Sequence, residues 1–505
     1  FRGERLFRSG SYREAVREFD QAVEEDSTFA LSMYRSAIAL LWSSDADFEV
    51  ARQKVKRALE HSDHATPHDV ELFRALEAFL NGRLPEAERL YESILLRRPE
   101  SVEAWFQLAE TIFHYGGLHG RSVRASEEAW RRVIELNPHH HAALVHLSAI
   151  AALKRDPALD SLERKVNGDP DVPVPTPQVR ALRVFSSGTE AERVRMLDNL
   201  SRHEAQAIAT TAAYAARYLR DPAVGVRIAA VLTAAGRPAS EQARGHLLLA
   251  HFALAQGRPT AAREALERAH ALEPAQAAPH RLLLGTMPTM HVELRHSAGA
   301  QLVLPLGLEL REPVAGFASF DGSVESGLAL YAHALAYHRA GGEEGALVSA
   351  SRQLRNAADD EPILRALGMG LLAERDLQEQ PDGDVAHALA DALRGVERWY
   401  EHLRTDHLRS LARERFILAE AAISMQRDHE AYDLLVPIGE NAVAALPYTA
   451  PAMIRIGEIH ERSGDANAAL EAYRAVLDLW RDAEGPAAIA RAEIAARVDA
   501  LQRQS

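Results

Sequence analysis

The pattern that most constrains the fold runs from Gly457 to Ala469, then to Tyr473 and Val476. A small residue in one helix is answered by a small residue in the next, and an aromatic and a branched residue follow it one and two turns later. Small side chains let two helices cross closely, and the ring fills the gap toward the next pair. A hairpin built this way leaves one face apolar, so it is stable only when a neighbour stacks on it. The same spacing returns along the chain at roughly 34 residues, the length of a two-helix repeat.

Tracing that spacing sets out the N-terminal part. Ala15, Phe19 and Ala22 hold second-helix positions, with Gly3 and Leu6 at the end of a first helix. Ala37 with Ala51, Val55 and Ala58 forms the next hairpin, and Ala75 with Ala87, Tyr91 and Ile94 the third, closed by Pro99. Trp105, Leu108 and Ala109 open a fourth that ends with Trp130, Val133 and Pro138. Its helices are separated by His114-Tyr-Gly-Gly-Leu-His-Gly-Arg121, whose glycines predict a loop. A further helix is expected from His141 to Lys154.

The expected organisation is all-α: an α-solenoid, a superhelix of helical hairpins, with a proline linker and a short irregular insert. The N-terminal superhelix spans 1–168. Residues 169–177 hold four prolines, which cannot support a helical ladder and favour a stiff, extended linker. Helical repeats resume over 178–284, with Ala250, Ala262, Leu266 and Ala269 as a good example. Residues 285–325 are punctuated by glycine and proline, and 301–310 alternates weakly, as a short strand or β-hairpin would. Repeats return over 326–505, ending in a helix over 487–503 that caps the stack.

Composition narrows the chemistry. Apolar residues make up 47% of the chain and aromatics only 6%, the difference being Ala and Leu, which favour helix. The net charge of -14, with both signs dispersed, argues against a direct nucleic-acid surface. The basic residues are nearly all Arg, and with the Ala bias this reads as the coding bias of a GC-rich bacterium. The absence of cysteine excludes disulfides, thiolate metal sites and a Cys nucleophile, and suits either side of a membrane. No apolar run approaches the ~18 residues needed to span a bilayer. The chain opens inside a helical pattern, so it reads as a piece of a longer protein with room for an upstream membrane anchor.

Candidate binding residues lie one position off the packing residues, on the first helices that line the concave wall. In the fourth hairpin these are Phe106, Glu110, Phe113 and His114, which share one helix face; in the second they include Tyr34 and Trp42. His119 and Arg121 of the glycine-rich insertion stand beside them. Aromatics exposed on such a wall would suit an extended peptide; the alternative is that they pack against an inner layer. Six histidines fall between His114 and His146, but no HExxH motif occurs and no carboxylate stands at an evident ligand spacing. No metal ligands, cofactor or catalytic residues are assigned. Gly116–Ser122 and Gly368–Ala373 match phosphate-loop and dinucleotide patterns only loosely, in helical context.

The passages Phe29-Ala-Leu-Ser-Met-Tyr-Arg35, Glu103-Ala-Trp-Phe-Gln-Leu-Ala109, Phe113-His-Tyr115 with Gly120-Arg-Ser122, and Leu479-Trp-Arg-Asp-Ala483 carry a resemblance. The chain resembles tetratricopeptide-repeat (TPR) proteins, in particular the TPR region of bacterial multidomain regulators such as transmembrane serine/threonine kinases and winged-helix transcriptional activators. Neither a kinase nor a DNA-binding signature occurs in these 505 residues, so the resemblance implies a sensory or scaffolding role. The leading expectation is a non-enzymatic scaffold for a protein or peptide partner. A structural subunit of a larger assembly is the second reading, and a metal protein or enzyme using the histidine cluster the third.

Overall fold

In a computed structural model of the chain, the described residues are 2–8, 10–43, 47–119, 121–168, 177–285, 323–339, 342–357, 361–377, 379–397, 411–438 and 443–504. Among them all regular structure is helical, with no strand. The proline-rich stretch 169–176 and most of the insert, 286–322, with its expected hairpin, lie outside the described residues; Pro177 and Val324 already begin helices. No described helix is long and apolar enough to cross a membrane. The chain divides into two compact units, Phe1–Gly188 and Thr189–Ser505.

Unit 1 is a run of antiparallel hairpins. α1 (Arg2–Arg8) pairs with α2 (Tyr12–Glu25), α3 (Ala30–Trp42) with α4 (Phe48–Glu60), and α5 (Pro67–Leu80) with α6 (Leu84–Arg97). α7 (Val102–Tyr115) pairs with α8 (Glu127–Leu136), and α9 (His141–Lys154) with α10 (Leu159–Asn167); α11 (Pro177–Ser187) packs on both α9 and α10. The small residues read from the sequence are buried where the helices cross: Ala15, Ala37, Ala51, Ala75, Ala87 and Ala109 have no exposed surface. Tyr91 and Trp130 fill the space beside them. The insertion in the fourth hairpin is tighter than an open loop, since Gly116–His119 and Val123–Ser126 are 3₁₀ turns.

Local chemistry sets the ends of these helices. Thr66 caps α5 through a reciprocal box: its hydroxyl accepts from the Asp69 amide, and the Asp69 carboxylate accepts from the Thr66 amide. Pro67 then occupies the first helical position, where its missing N–H costs nothing. Gly82 turns the chain into α6 with φ +69°, a conformation that suits glycine. Three equivalent hairpin turns hold Arg155, Arg220 and Gln426 there at φ near +55°, each at a modest cost in strain. Replacing Thr66 with Ala should remove the box and cost about 1 kcal/mol, read as faster hydrogen exchange in the first turn of α5.

Unit 2 contains α12 (Glu190–Leu200), α13 (Ala205–Tyr218), α14 (Pro222–Ala229), α15 (Ala239–Ala255), α16 (Pro259–Leu272) and α17 (Pro274–Gly285). It continues with α18 (Val324–Arg339), α19 (Glu344–Asn356), α20 (Pro362–Asp376) and α21 (Asp384–Glu397). Then come α22 (Ala412–Ser424), α23 (Asp428–Leu435), α24 (Thr449–Ser463), α25 (Ala466–Leu479) and α26 (Gly485–Gln504). First helices touch across repeats, α18 on α20 and α20 on α22. α26 buries Ala487, Ala490, Ile494, Val498 and Leu501, a helical stripe, in one cluster with Trp480 and Tyr473. Each of the larger side chains contributes about 1.5–3 kcal/mol by leaving water.

Arg–carboxylate pairs tie successive first helices of unit 2 together at about one repeat. Arg339 grips Glu374 with two bonds of 2.6 and 3.0 Å, 35 residues apart, and Arg455 grips Glu420 with the same lengths and the same separation. Arg413 donates to Glu374 at 2.5 Å and to Glu414 at 2.8 Å, and Glu414 also accepts from the Tyr331 hydroxyl at 2.6 Å. Gly368 and Gly370, the loose dinucleotide match, lie in the middle of α20. A Cβ at Gly370 would stand 2.8 Å from Glu414 Cγ, so that glycine makes room for a buried carboxylate.

Candidate functional site

The first helices of unit 1 carry a group of polar and aromatic side chains that meet one another. α3, α7 and α9 supply it, with the second helix α8 behind. Arg35 on α3 reaches Glu4 at 2.9 Å and also pairs with Glu103 on α7, which accepts from the Tyr34 hydroxyl at 3.2 Å. Trp42, at the end of α3, meets Phe106 edge-on at 5.8 Å and lies 6.2 Å from His114. Helices two hairpins apart therefore meet across the inside of the superhelix.

That convergence corrects one expectation. Tyr34, Phe106, Glu110 and Phe113, expected to be exposed on a concave wall, are buried. In a tightly wound stack the inner side chains of α3 and α7 cover one another, and apolar rings that meet lose water on both sides. Phe106 is enclosed by Trp42, Trp130 and His140, and Phe113 by Trp130, His114 and His146. Trp42, His114 and Arg121 keep an edge in solvent. Arg121 pairs with Glu88 on α6, whose carboxyl is raised by burial against the pull of that guanidinium. The side chain of His119 lies outside the described residues.

The centre of this region is a carboxylate between two imidazoles. Glu110 and His114 stand four residues apart on one face of α7. His146 projects from α9, the next first helix, 32 residues after His114 and so close to one repeat on. His114 Nε2 is 3.2 Å from Glu110 Oε2 and 3.0 Å from His146 Nε2. His146 Nδ1 donates to the Ala142 carbonyl at 2.7 Å and lies 3.8 Å from Glu110 Oε1. The indole of Trp130 stacks on the His146 ring at 4.6 Å and 7°. Glu110 is 1% exposed, whereas the side chains of His146 and His114 are 13% and 26% exposed, so the group opens toward solvent at His114.

Burial pushes His146 down to about 4, with Glu110 pulling the other way and His114 adding to the fall. The ring is therefore neutral near pH 7. Burial also drives the Tyr12 hydroxyl well above its ordinary range, and the Glu110 charge reinforces it, which places the start of α2 within the field of the same carboxylate. Among the described residues, Glu110, His114 and His146 are the group of three whose donor atoms approach closely enough to hold a metal ion. Sequence reasoning named Glu110 and His114 for a different reason and left His146 among six clustered histidines. The readable sign was a Glu and a His at i and i+4, followed by a His about one repeat later.

A tetratricopeptide-repeat family model matches residues 450–481, the hairpin of α24 and α25. No curated protein matches the sequence. Among solved structures, Tom70 of yeast is similar over 86% of this chain and 96% of that one, at 13% identity and a TM-score of 0.32. Naa15/Naa10 bound to HypK-THB is similar over 99% and 80%, at 15% identity and a TM-score of 0.24. The TPR domain of P58(IPK) is similar over 87% and 99%, at 14% identity and a TM-score of 0.20. Likenesses at these scores carry nothing about partners. The hairpins and the matched repeat together define an all-α helical-repeat chain with a tetratricopeptide unit over residues 450–481. Stacked hairpins of this class serve as protein-interaction scaffolds.

Proposed function

We propose that this chain is a non-enzymatic scaffold that holds a protein or peptide partner, as the regulatory or sensory part of a larger bacterial protein. The observation that carries the reading is the repeat architecture itself. Its packing residues are consumed at helix crossings, and the rim of unit 1 is left with Trp42, His114 and Arg121 at its surface. The edge of Trp42, 6.2 Å from the His114 ring, suits a peptide that offers an apolar side chain, and the partly exposed Arg121 suits one that also offers an acidic side chain. The filled inner wall moves the binding surface from the depth of the groove to this rim. The bacterial setting is supported by the Arg and Ala bias of the composition.

Cross-linking capture in the source organism tests the proposal. The unaltered chain should recover a defined partner, and Trp42→Ala or Arg121→Glu should reduce its recovery by about tenfold or more while the helical spectrum is unchanged. Equal recovery by the parent and both variants would move the binding surface elsewhere. Recovery of nothing by the folded parent would remove the scaffold reading.

A further inference from the structure

We propose that Glu110, His114 and His146 form a binding site for a divalent transition-metal ion of the zinc class. The proposal goes beyond a scaffold role: it assigns a ligand to unit 1 whether or not a protein partner binds there.

The argument begins with spacing. Zinc bonds to imidazole nitrogen and carboxylate oxygen are about 2.0–2.2 Å long, so donors 90–110° apart around the ion stand roughly 3.0–3.4 Å from one another. His114 Nε2 is 3.0 Å from His146 Nε2 and 3.2 Å from Glu110 Oε2. Both separations fall in that interval. The donor atoms of all three residues lie within 4.8 Å of one another. Two imidazoles and one carboxylate are an established donor set for zinc and for non-haem iron, and they leave coordination positions open.

The surroundings orient the donors. His146 spends its Nδ1–H on the Ala142 carbonyl at 2.7 Å, which leaves the lone pair on Nε2, the nitrogen that faces His114. Trp130 stacks flat on the same ring and Phe113 meets it edge-on at 4.4 Å, fixing its plane. Glu110 and His114 are held in register by one helix. The buried carboxylate supplies negative charge where a cation would sit, and the more exposed His114 gives it a path in.

Two other clusters are weaker. His251 and His280 in unit 2 approach to 3.1 Å, but no carboxylate joins them in a described group of three. The Arg413 network holds its carboxylates with guanidinium groups, which repel a cation.

The test uses the tag-free full chain after removal of metal by chelator. Zn²⁺ is titrated by calorimetry and Co²⁺ by visible absorption, with indole fluorescence followed in parallel. One equivalent should bind, Co²⁺ should give a d–d band, and Co²⁺ should quench emission because Trp130 stacks on a ligand. His114→Ala and His146→Phe should each weaken binding by at least tenfold. Glu110→Gln, which keeps the side-chain size and a hydrogen bond to His114, should do the same without change in the melting temperature of the metal-free protein. His429→Ala, at an exposed His–Asp pair in unit 2, should bind as the parent does. The proposal is overturned if the parent takes up no ion, if Glu110→Gln and His114→Ala bind as tightly as the parent, or if uptake follows His429.

Discussion

Replacing Arg413 with Ala should destabilise unit 2 by about 3–5 kcal/mol, because it leaves buried carboxylates without their counter-charge. Arg413 touches Glu374, Glu414, the Tyr331 hydroxyl and the Gly370 carbonyl, and so joins α18, α20 and α22. Hydrogen exchange should rise across those three helices. Combining Arg413→Gln with Glu414→Gln should cost less than the sum of the two changes, since each removes the partner that the other strands. If both singles are neutral, the network does not hold the repeats together.

The same network fixes a pH dependence. Burial alone would raise the Glu374 carboxyl, but Arg413 and Arg339 outweigh it and hold the group far below the usual carboxylate range. A carboxyl depressed on folding stabilises the native state at every pH above its unfolded value, about 4.3. That stability is lost as pH falls below that value toward the folded one. The urea midpoint of unit 2 should therefore be flat from pH 7 to about 5 on this account and fall below it. In Arg413→Ala the fall should be shallower, because the depression is smaller. An identical acid profile in parent and variant would contradict the assignment.

The second large effect is expected at Gly457. A Cβ there would lie 2.7 Å from Cδ1 and 2.8 Å from Cζ of Tyr473, closer than side chains pack. The Tyr473 ring cannot swing aside at low cost: it is fully buried, and its hydroxyl bonds both Glu461 and Arg497. Gly457→Ala should cost about 1–3 kcal/mol by overpacking, and Gly457→Val more. Truncating Tyr473 to Ala opens the space that the new methyl needs, so the double variant should be more stable than the sum of the single changes by about 1–2 kcal/mol. Thermal unfolding of the four proteins gives the coupling directly, and strict additivity would show that the two residues do not share the crossing.

Gly457 and Tyr473 also show why so much of the fold was legible. A helix crossing is a local agreement between small and large residues within one hairpin, so it is written within about 30 residues of sequence. The same agreement located α3 through α9 in unit 1, including α9 at His141–Lys154. The candidate site was legible only in part. That Phe106, Glu110, Phe113 and His114 share a face of one helix follows from helical periodicity. Whether that face is open depends on how far each hairpin rotates relative to the last. Many small side-chain volumes set that rotation jointly, and no single segment records it.

By itself the sequence determined the helical hairpins, their period, their packing residues and the absence of thiol chemistry, because each rests on near neighbours along the chain. Only the tertiary structure decided that Tyr34, Phe106, Glu110 and Phe113 are buried, that Arg413 bridges three helices, and that His146 meets Glu110 and His114. Those are meetings between side chains on different hairpins, and winding the hairpins into a stack is what brings them within bonding distance.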